Sequence, residues 1–299
     1  MPIGFDDQSV DVSGVDDRRG AGGGLAIGGG AGVVGLVIYL IVAALGGGPQ
    51  SLQGLGGGGA GAVSGGRTSG EPASALERRC NTAGALERDT DCRLIKTFTV
   101  ADTVWEGDFA RRGRSYVSPR FVLFSGSART GCGTASADVG PFYCPPDQKI
   151  FFDLDFLEEL QTRFGANGQF AQAYIVAHEF GHHLQTILGT EAKVRGAAQR
   201  VPAQANTLSV RLELQADCYA GVWAALADAS ETNGIELTED NIAEAVGAAQ
   251  AVGDDRIQAK TSGRVDPESW THGSAAQRKQ WFLTGFRSAD TDSCTTFTP

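Results

Sequence analysis

The sequence predicts an α+β fold, mostly helical with a small sheet, lying behind a single N-terminal transmembrane helix. Three observations lead there. Strand-like segments precede long helical ones in the C-terminal part of the chain, the order of an α+β domain. A histidine motif sits inside the most apolar of those helices. The first 75 or so residues are too rich in glycine to build a core, which leaves about 225 for one globular domain. The resulting division is a cytoplasmic segment over 1–24, a transmembrane helix over 25–46, a glycine-rich linker over 47–74 and a single domain over 75–299.

Residues 33–45 are uncharged and strongly apolar, and extension back through Leu25, Ala26 and Ile27 gives a little over 20 residues, enough to cross a bilayer. Arg18 and Arg19 stand just before the span, and the next basic residue is Arg67. The positive-inside rule therefore puts the N-terminus in the cytoplasm and the large domain outside it. A cleaved signal peptide fits less well, because the long acidic stretch before the span is unlike an n-region. A twin-arginine signal would want apolar residues after Arg18-Arg19, where Gly-Ala-Gly follows instead.

Cysteine usage agrees with that topology. Cys80, Cys92, Cys132, Cys144, Cys218 and Cys294 all follow the span, and their even number suits an oxidising compartment. Six cysteines allow 15 pairings. Nearest-neighbour loops suggest Cys80 with Cys92 and Cys132 with Cys144, leaving Cys218 for Cys294. The formal net charge of −10 argues against nucleic acid as a partner.

Within the domain, Val100–Trp105, Phe121–Phe124 and Lys149–Leu154 read as strands. Asp155 with Glu158 then resembles a capping box. A helix is expected over Gln169–Leu188, stopped by Gly189. Further helices are expected at about 205–229, 239–260 and 275–288, the last opened by Ser274 with Gln277.

The expected helix 169–188 contains Ala177-His178-Glu179-Phe180-Gly181-His182-His183, an H-E-x-x-H pattern. Histidines four apart share one helix face, so both imidazoles can reach a single tetrahedral metal ion. The glutamate next to the first can then take a proton from water activated by that metal. Phe170–Ala177 carries no charge, so the helix reads as buried, and polar groups buried without partners cost several kcal/mol. A metal accounts for their presence.

A third ligand is needed, and Glu213-Leu214-Gln215-Ala216-Asp217 offers two carboxylates four apart among apolar neighbours. One can bind the metal while the other accepts the free N–H of a ligating histidine.

These segments, with Gly140–Pro145 and Thr271–Arg278, resemble a family of bacterial membrane-anchored neutral zinc metallopeptidases. That family is related in motif to gluzincins, which pair H-E-x-x-H with a downstream E-x-x-x-D. The resemblance covers about residues 75–299 and the layout of the N-terminus. It implies a zincin-like domain and one Zn2+ per chain held by His178, His182 and Glu213. Glu179 is then the general base of peptide-bond hydrolysis, Asp217 the carboxylate behind a ligating histidine, and the partner a peptide or protein substrate.

In zincins the strand before the metal helix forms the rim of the cleft, which makes Lys149–Leu154 the expected substrate-binding edge. Phe151 and Phe152 in succession suggest a core strand instead. His183 points about 100° away from the metal face and is expected to cap, pack or reach solvent. His272 is expected either to stabilise the oxyanion of a tetrahedral intermediate, as late histidines of gluzincins do, or to order its loop. Tyr143 and Tyr219 are weaker candidates for the same task. Two other readings stay open: a membrane-tethered zinc-binding scaffold, and a zinc hydrolase of another amide or ester.

Overall fold

A computed structural model describes residues 3–19, 70–136, 140–159, 162, 168–230 and 234–297. The expected transmembrane helix at 25–46, and all of the expected linker but its last few residues, lie outside that set. No helix among the described residues is long and apolar enough to cross a membrane.

The sheet is built on two runs of apolar residues, β3 (Arg120–Phe124) and β7 (Lys149–Asp153), which pair in parallel with Phe121 opposite Ile150. Both are buried on both faces, as parallel pairs are. Phe121, Leu123, Ile150 and Phe152 join the main helical core. Val122, Phe124 and Phe151 form a second cluster with residues of a hairpin, β4 (Ser127–Thr130) and β5 (Gly133–Ser136). Strand β6 (Phe142–Cys144) runs antiparallel to β7, and β2 (Val15–Asp17) runs parallel to β3, giving the order β2-β3-β7-β6. The strand at Lys149–Asp153 is therefore interior, not the rim expected of it. The edge nearest the helix that carries the H-E-x-x-H pattern is β6, and Phe151 and Phe152 in succession were the mark of a strand covered on both sides.

Residues 3–19 belong to this same body instead of standing apart as an N-terminal segment. Besides β2, a short β1 (Gly4–Phe5) pairs with β8 (Ile235–Glu236). Ile3, Phe5, Val10, Val12 and Val15 are buried in the main core. The buried Lys96 ammonium donates to the Ser9 carbonyl at 2.8 Å, and Asn81 exchanges hydrogen bonds with the Val10 backbone.

The helices are α1 (Ala73–Cys80), α2 (Ala85–Arg88), α3 (Thr90–Arg111), α4 (Leu154–Glu159), α5 (Gln169–Ile187), α6 (Thr190–Arg200), α7 (Ala205–Asp228), α8 (Glu239–Ala251), α9 (Asp254–Thr261) and α10 (Ala275–Ser288). The expected strand Val100–Trp105 lies inside α3. Its buried residues Leu94, Ile95, Phe98, Ala101, Trp105 and Phe109 recur every three or four positions, a helical period that a six-residue window hides. Asp153, not Asp155, accepts the first free N–H of α4, from Asp155 at 3.0 Å. The single helix expected over 239–260 breaks at Val252–Gly253. A Cβ on Gly253 would lie 2.4 Å from the Ala275 nitrogen, so the chain must turn there against the start of α10. Gly189 ends α5 with φ +74°, and Ser274 opens α10 through the expected capping box.

Helices α7 and α10 touch backbone to backbone, since Cβ atoms at Gly221 and Gly285 would meet the Phe282 and Cys218 carbonyl oxygens at 2.0 and 1.9 Å. Three disulfides join Cys80 to Cys92, Cys132 to Cys144 and Cys218 to Cys294.

Candidate metal centre

Helices α5 and α7 cross at Gly181, where a Cβ would sit 2.8 Å from the Ala216 Cα. Ala216 lies between Glu213 and Asp217, so the glycine inside the H-E-x-x-H pattern lets the second helix bring its carboxylates up to the histidines. The ligand atoms of His178, His182 and Glu213 come within 4.8 Å of one another. The His178 Nε2 is 3.2 Å from Glu213 Oε2 and the His182 Nε2 is 3.4 Å from Glu213 Oε1.

What lies behind each imidazole decides which nitrogen is free. The His178 Nδ1 is 2.9 Å from Asp217 Oδ1, and the His182 Nδ1 is 2.9 Å from the Gln185 side-chain carbonyl. Each Nδ1 carries a proton and donates it backward, so both Nε2 atoms turn toward Glu213, which accepts their protons until a metal ion replaces them. Gln185 is fixed in turn, its amide donating to the Leu212 carbonyl at 2.7 Å and to Gln215 at 3.2 Å, while Gln215 donates to the Cys294 carbonyl at 3.0 Å. The C-terminal tail, tied down by Cys218–Cys294, thus reaches His182 through two glutamines.

Asp217 is fully buried, and its charge is answered by Arg278, whose Nε and Nη2 donate to the two carboxylate oxygens at 2.8 Å each. The Tyr174 hydroxyl also donates to Asp217. Burial works against the Asp217 charge, but Arg278 and His178 hold its carboxyl below the usual range. Burial likewise opposes the Glu213 charge, and His182, His272 and His178 around it hold it well below. Burial alone would push the His178 imidazole down, yet Asp217 and Glu213 raise it to about 9. A metal ion arriving at neutral pH must displace that proton.

Glu179 sits beside the cluster without joining it. Burial pushes its carboxyl up, offset in part by His182, His178 and the Tyr143 backbone N–H. A carboxylate whose basicity burial has raised suits the task of accepting a proton. His272 is buried near enough for its charge to act on Glu213. Asp254, at the start of α9, holds it by accepting the backbone N–H of Thr271, His272 and Gly273 at 2.7, 2.6 and 3.0 Å and facing the His272 Nδ1 at 3.2 Å. Tyr219 lies away from the metal residues, packed edge-on against Trp105.

Reasoning from sequence missed Tyr174, Gln185, Gln215, Asp254 and Arg278. For Arg278 a signal existed: a carboxylate as enclosed as Asp217 needs a cation, and Arg278 closes the last of the four segments singled out above.

Two histidines and a carboxylate on crossed helices, each histidine with its far nitrogen satisfied, form a cluster of the H-E-x-x-H class that could hold a metal ion, with Glu179 beside it. The chain belongs to the zinc metallopeptidase family described as "Putative neutral zinc metallopeptidase", whose profile matches residues 6–297. An uncharacterized protein of Mycobacterium tuberculosis is 47% identical over 226 residues, covering 73% of this chain and 74% of the relative. The uncharacterized protein YpfJ of Escherichia coli is 39% identical over 289 residues, 95% of each chain. No solved structure matches the chain.

Proposed function

We propose that the protein is a zinc-dependent metallopeptidase that hydrolyses peptide bonds. The observation that carries the reading is Glu179: a buried carboxylate beside three convergent candidate ligands, itself no ligand and positioned by the Tyr143 backbone N–H. The donor set fits zinc, since two neutral imidazoles and one carboxylate leave a tetrahedral position open. Zinc held by His178, His182 and Glu213 would polarise the scissile carbonyl and acidify the attacking water. Glu179 accepts the proton of that water and delivers it to the leaving amine. His272, held by Asp254, donates a hydrogen bond to the oxyanion. Asp217 and Gln185 keep the two imidazoles in the ligating tautomer.

The substrate lies along the open edge of β6. In a strand the N–H and C=O of one residue point to the same side, and the Tyr143 N–H faces Glu179, away from β7. The Tyr143 carbonyl therefore faces the cleft and can pair with an extended peptide. Three disulfides support a location outside the cytoplasm. The apolar stretch 25–46 supports attachment to the membrane.

Zinc analysis and a peptide-library cleavage assay on the full chain, wild type beside Glu179→Gln, test the proposal. One zinc per chain is expected in both. Cleavage is expected in the wild type and should fall by about 10²–10⁴-fold in the variant. Zinc without cleavage of any peptide would favour the non-catalytic scaffold, or hydrolysis of another amide or ester.

A further inference from the structure

His183 follows a metal ligand and is fully buried, yet it faces away from the metal. Its Nε2 lies 2.6 Å from the Val117 carbonyl oxygen, an acceptor only, so that nitrogen carries the proton. The Nδ1 is then a bare lone pair, and the Tyr143 hydroxyl 3.1 Å away donates to it. The ring also stands edge-on to Tyr116, Tyr143 and Phe180. One imidazole thus ties together the metal helix α5, the edge strand β6 and the chain leading into β3.

Glu179 and His183 are four apart on α5 and share a face. That face grips Tyr143 at two points: the backbone N–H at Glu179 and the hydroxyl at His183. Strand β6 is short and sits at the sheet edge, with β7 on one side only. The Cys132–Cys144 bridge and the stacking of Phe142 on Phe151 tie it to the hairpin and to β7, but neither sets its distance from α5.

We propose that His183 is a positioning residue that holds the edge strand, through Tyr143, at a set distance and register from Glu179. It acts on where the substrate backbone lies, not on the metal. A ring kept only for packing would be replaceable by phenylalanine. A strut to Tyr143 would not. The consequence for catalysis rests on the peptidase reading; the consequence for the strand does not.

The experiment uses the full-length, zinc-loaded protein with Tyr143→Phe, His183→Phe and the double variant. Amide hydrogen exchange is followed over residues 142–144, with zinc content and kcat and KM on whichever library peptide the wild type cleaves best. Each single variant is expected to keep its zinc and to exchange those amides about tenfold faster. Each should raise KM about five- to tenfold with a smaller change in kcat, the scale of one lost hydrogen bond. The double variant should be no worse than either single one. Wild-type exchange rates over 142–144 in Tyr143→Phe, or effects that simply add, would overturn the proposal. A wild type that cleaves nothing removes the peptidase reading and leaves the exchange result to decide this one.

Residues 3–19 point to an inference about topology. Arg19 and Asp91 form an ion pair at 2.7 Å, and Arg79 joins Asp91 and Glu71 at 2.6 and 2.9 Å. A Cβ on Gly70 would lie 1.7 Å from the Asp17 carbonyl, so the chain on either side of residues 20–69 meets at one spot. A single bilayer crossing separates its two ends by about 30 Å and puts them in different compartments. Strand β2 and five buried apolar side chains cannot be in the domain core and across the membrane from it. The geometry points to residues 3–19 lying on the same side of any membrane as residues 70–297, in place of the opposite sides expected from the arginine pair.

All six cysteines are paired, so Gln8→Cys and Val265→Cys, both at exposed positions, each introduce a single thiol into the full chain. An impermeant maleimide is applied to intact cells and, separately, to permeabilised ones. Both thiols should label under the same condition, whichever it is. One labelled in intact cells and the other only after permeabilisation would overturn the inference.

Discussion

The Asp217 carboxylate stands between the His178 imidazole and a buried cation, 2.9 Å from the His178 Nδ1 and 2.8 Å from the Arg278 Nε. It serves both, and the two roles separate on mutation. Asp217→Asn keeps the shape but weakens the acceptor, and should lower zinc affinity about 10–100-fold in a chelator competition. Asp217→Ala also strands the Arg278 charge in the core, and should cost about 3–5 kcal/mol in urea unfolding. Equal stability of the two variants would mean that Arg278 finds another partner.

Asp254 accepts three successive backbone N–H groups, so its loss should act on the loop that carries His272. His272→Ala is expected to keep its zinc and lower kcat about 10²–10³-fold, as removal of an oxyanion donor does. Asp254→Ala should lower kcat in the same direction and speed amide exchange over 271–273. A normal kcat in His272→Ala would leave His272 with loop ordering alone.

His183 supplies an acid-sensitive term in stability. Burial pushes its imidazole down to about 4 from 6.5. The unfolded chain takes up the proton near pH 6.5 while the folded one resists until about pH 4, so the fold loses stability as pH falls through that window. By linkage the full effect is roughly 3 kcal/mol. Urea unfolding of wild type and His183→Phe at pH 7.5 and pH 4.5 checks it: the wild type should lose more on acidification than the variant.

Gly181 has backbone, not a flexible side chain, opposite its missing Cβ. Gly181→Ala should force α5 and α7 apart, costing about 1–3 kcal/mol as overpacking does. It should also weaken zinc binding, because Glu213 moves with α7. Unchanged zinc affinity would mean that the shift is absorbed elsewhere.

The Cys218–Cys294 bridge joins residues 76 apart, and in the chain-entropy model it stabilises by roughly 4 kcal/mol. It also anchors the tail whose carbonyl holds Gln215, then Gln185, then His182. Reduction should therefore lower zinc affinity as well as melting temperature. A Gln185→Leu variant should lose zinc affinity with its disulfides intact.

Local regularity was legible in the sequence. The four-residue spacing of His178 and His182, the four-residue spacing of Glu213 and Asp217, the stop at Gly189 and the Ser274 cap all act within one helix, where period and end chemistry need no distant partner. The sequence by itself therefore determined that α5 offers two imidazoles with a glutamate beside them. It did not determine which nitrogen they present, which strand lies at the sheet edge beside them, or where residues 3–19 belong. Those answers depend on groups far along the chain: Arg278 for Asp217, Cys294 for Gln215, β3 for β2. Val100–Trp105 shows the same divide, since a β-branched, aromatic stretch became helix once its buried face was counted over 22 residues. A helix reports its own period, whereas strand order and the pairing of buried charge are settled only when distant segments compete for the same core, and the tertiary structure alone records the outcome.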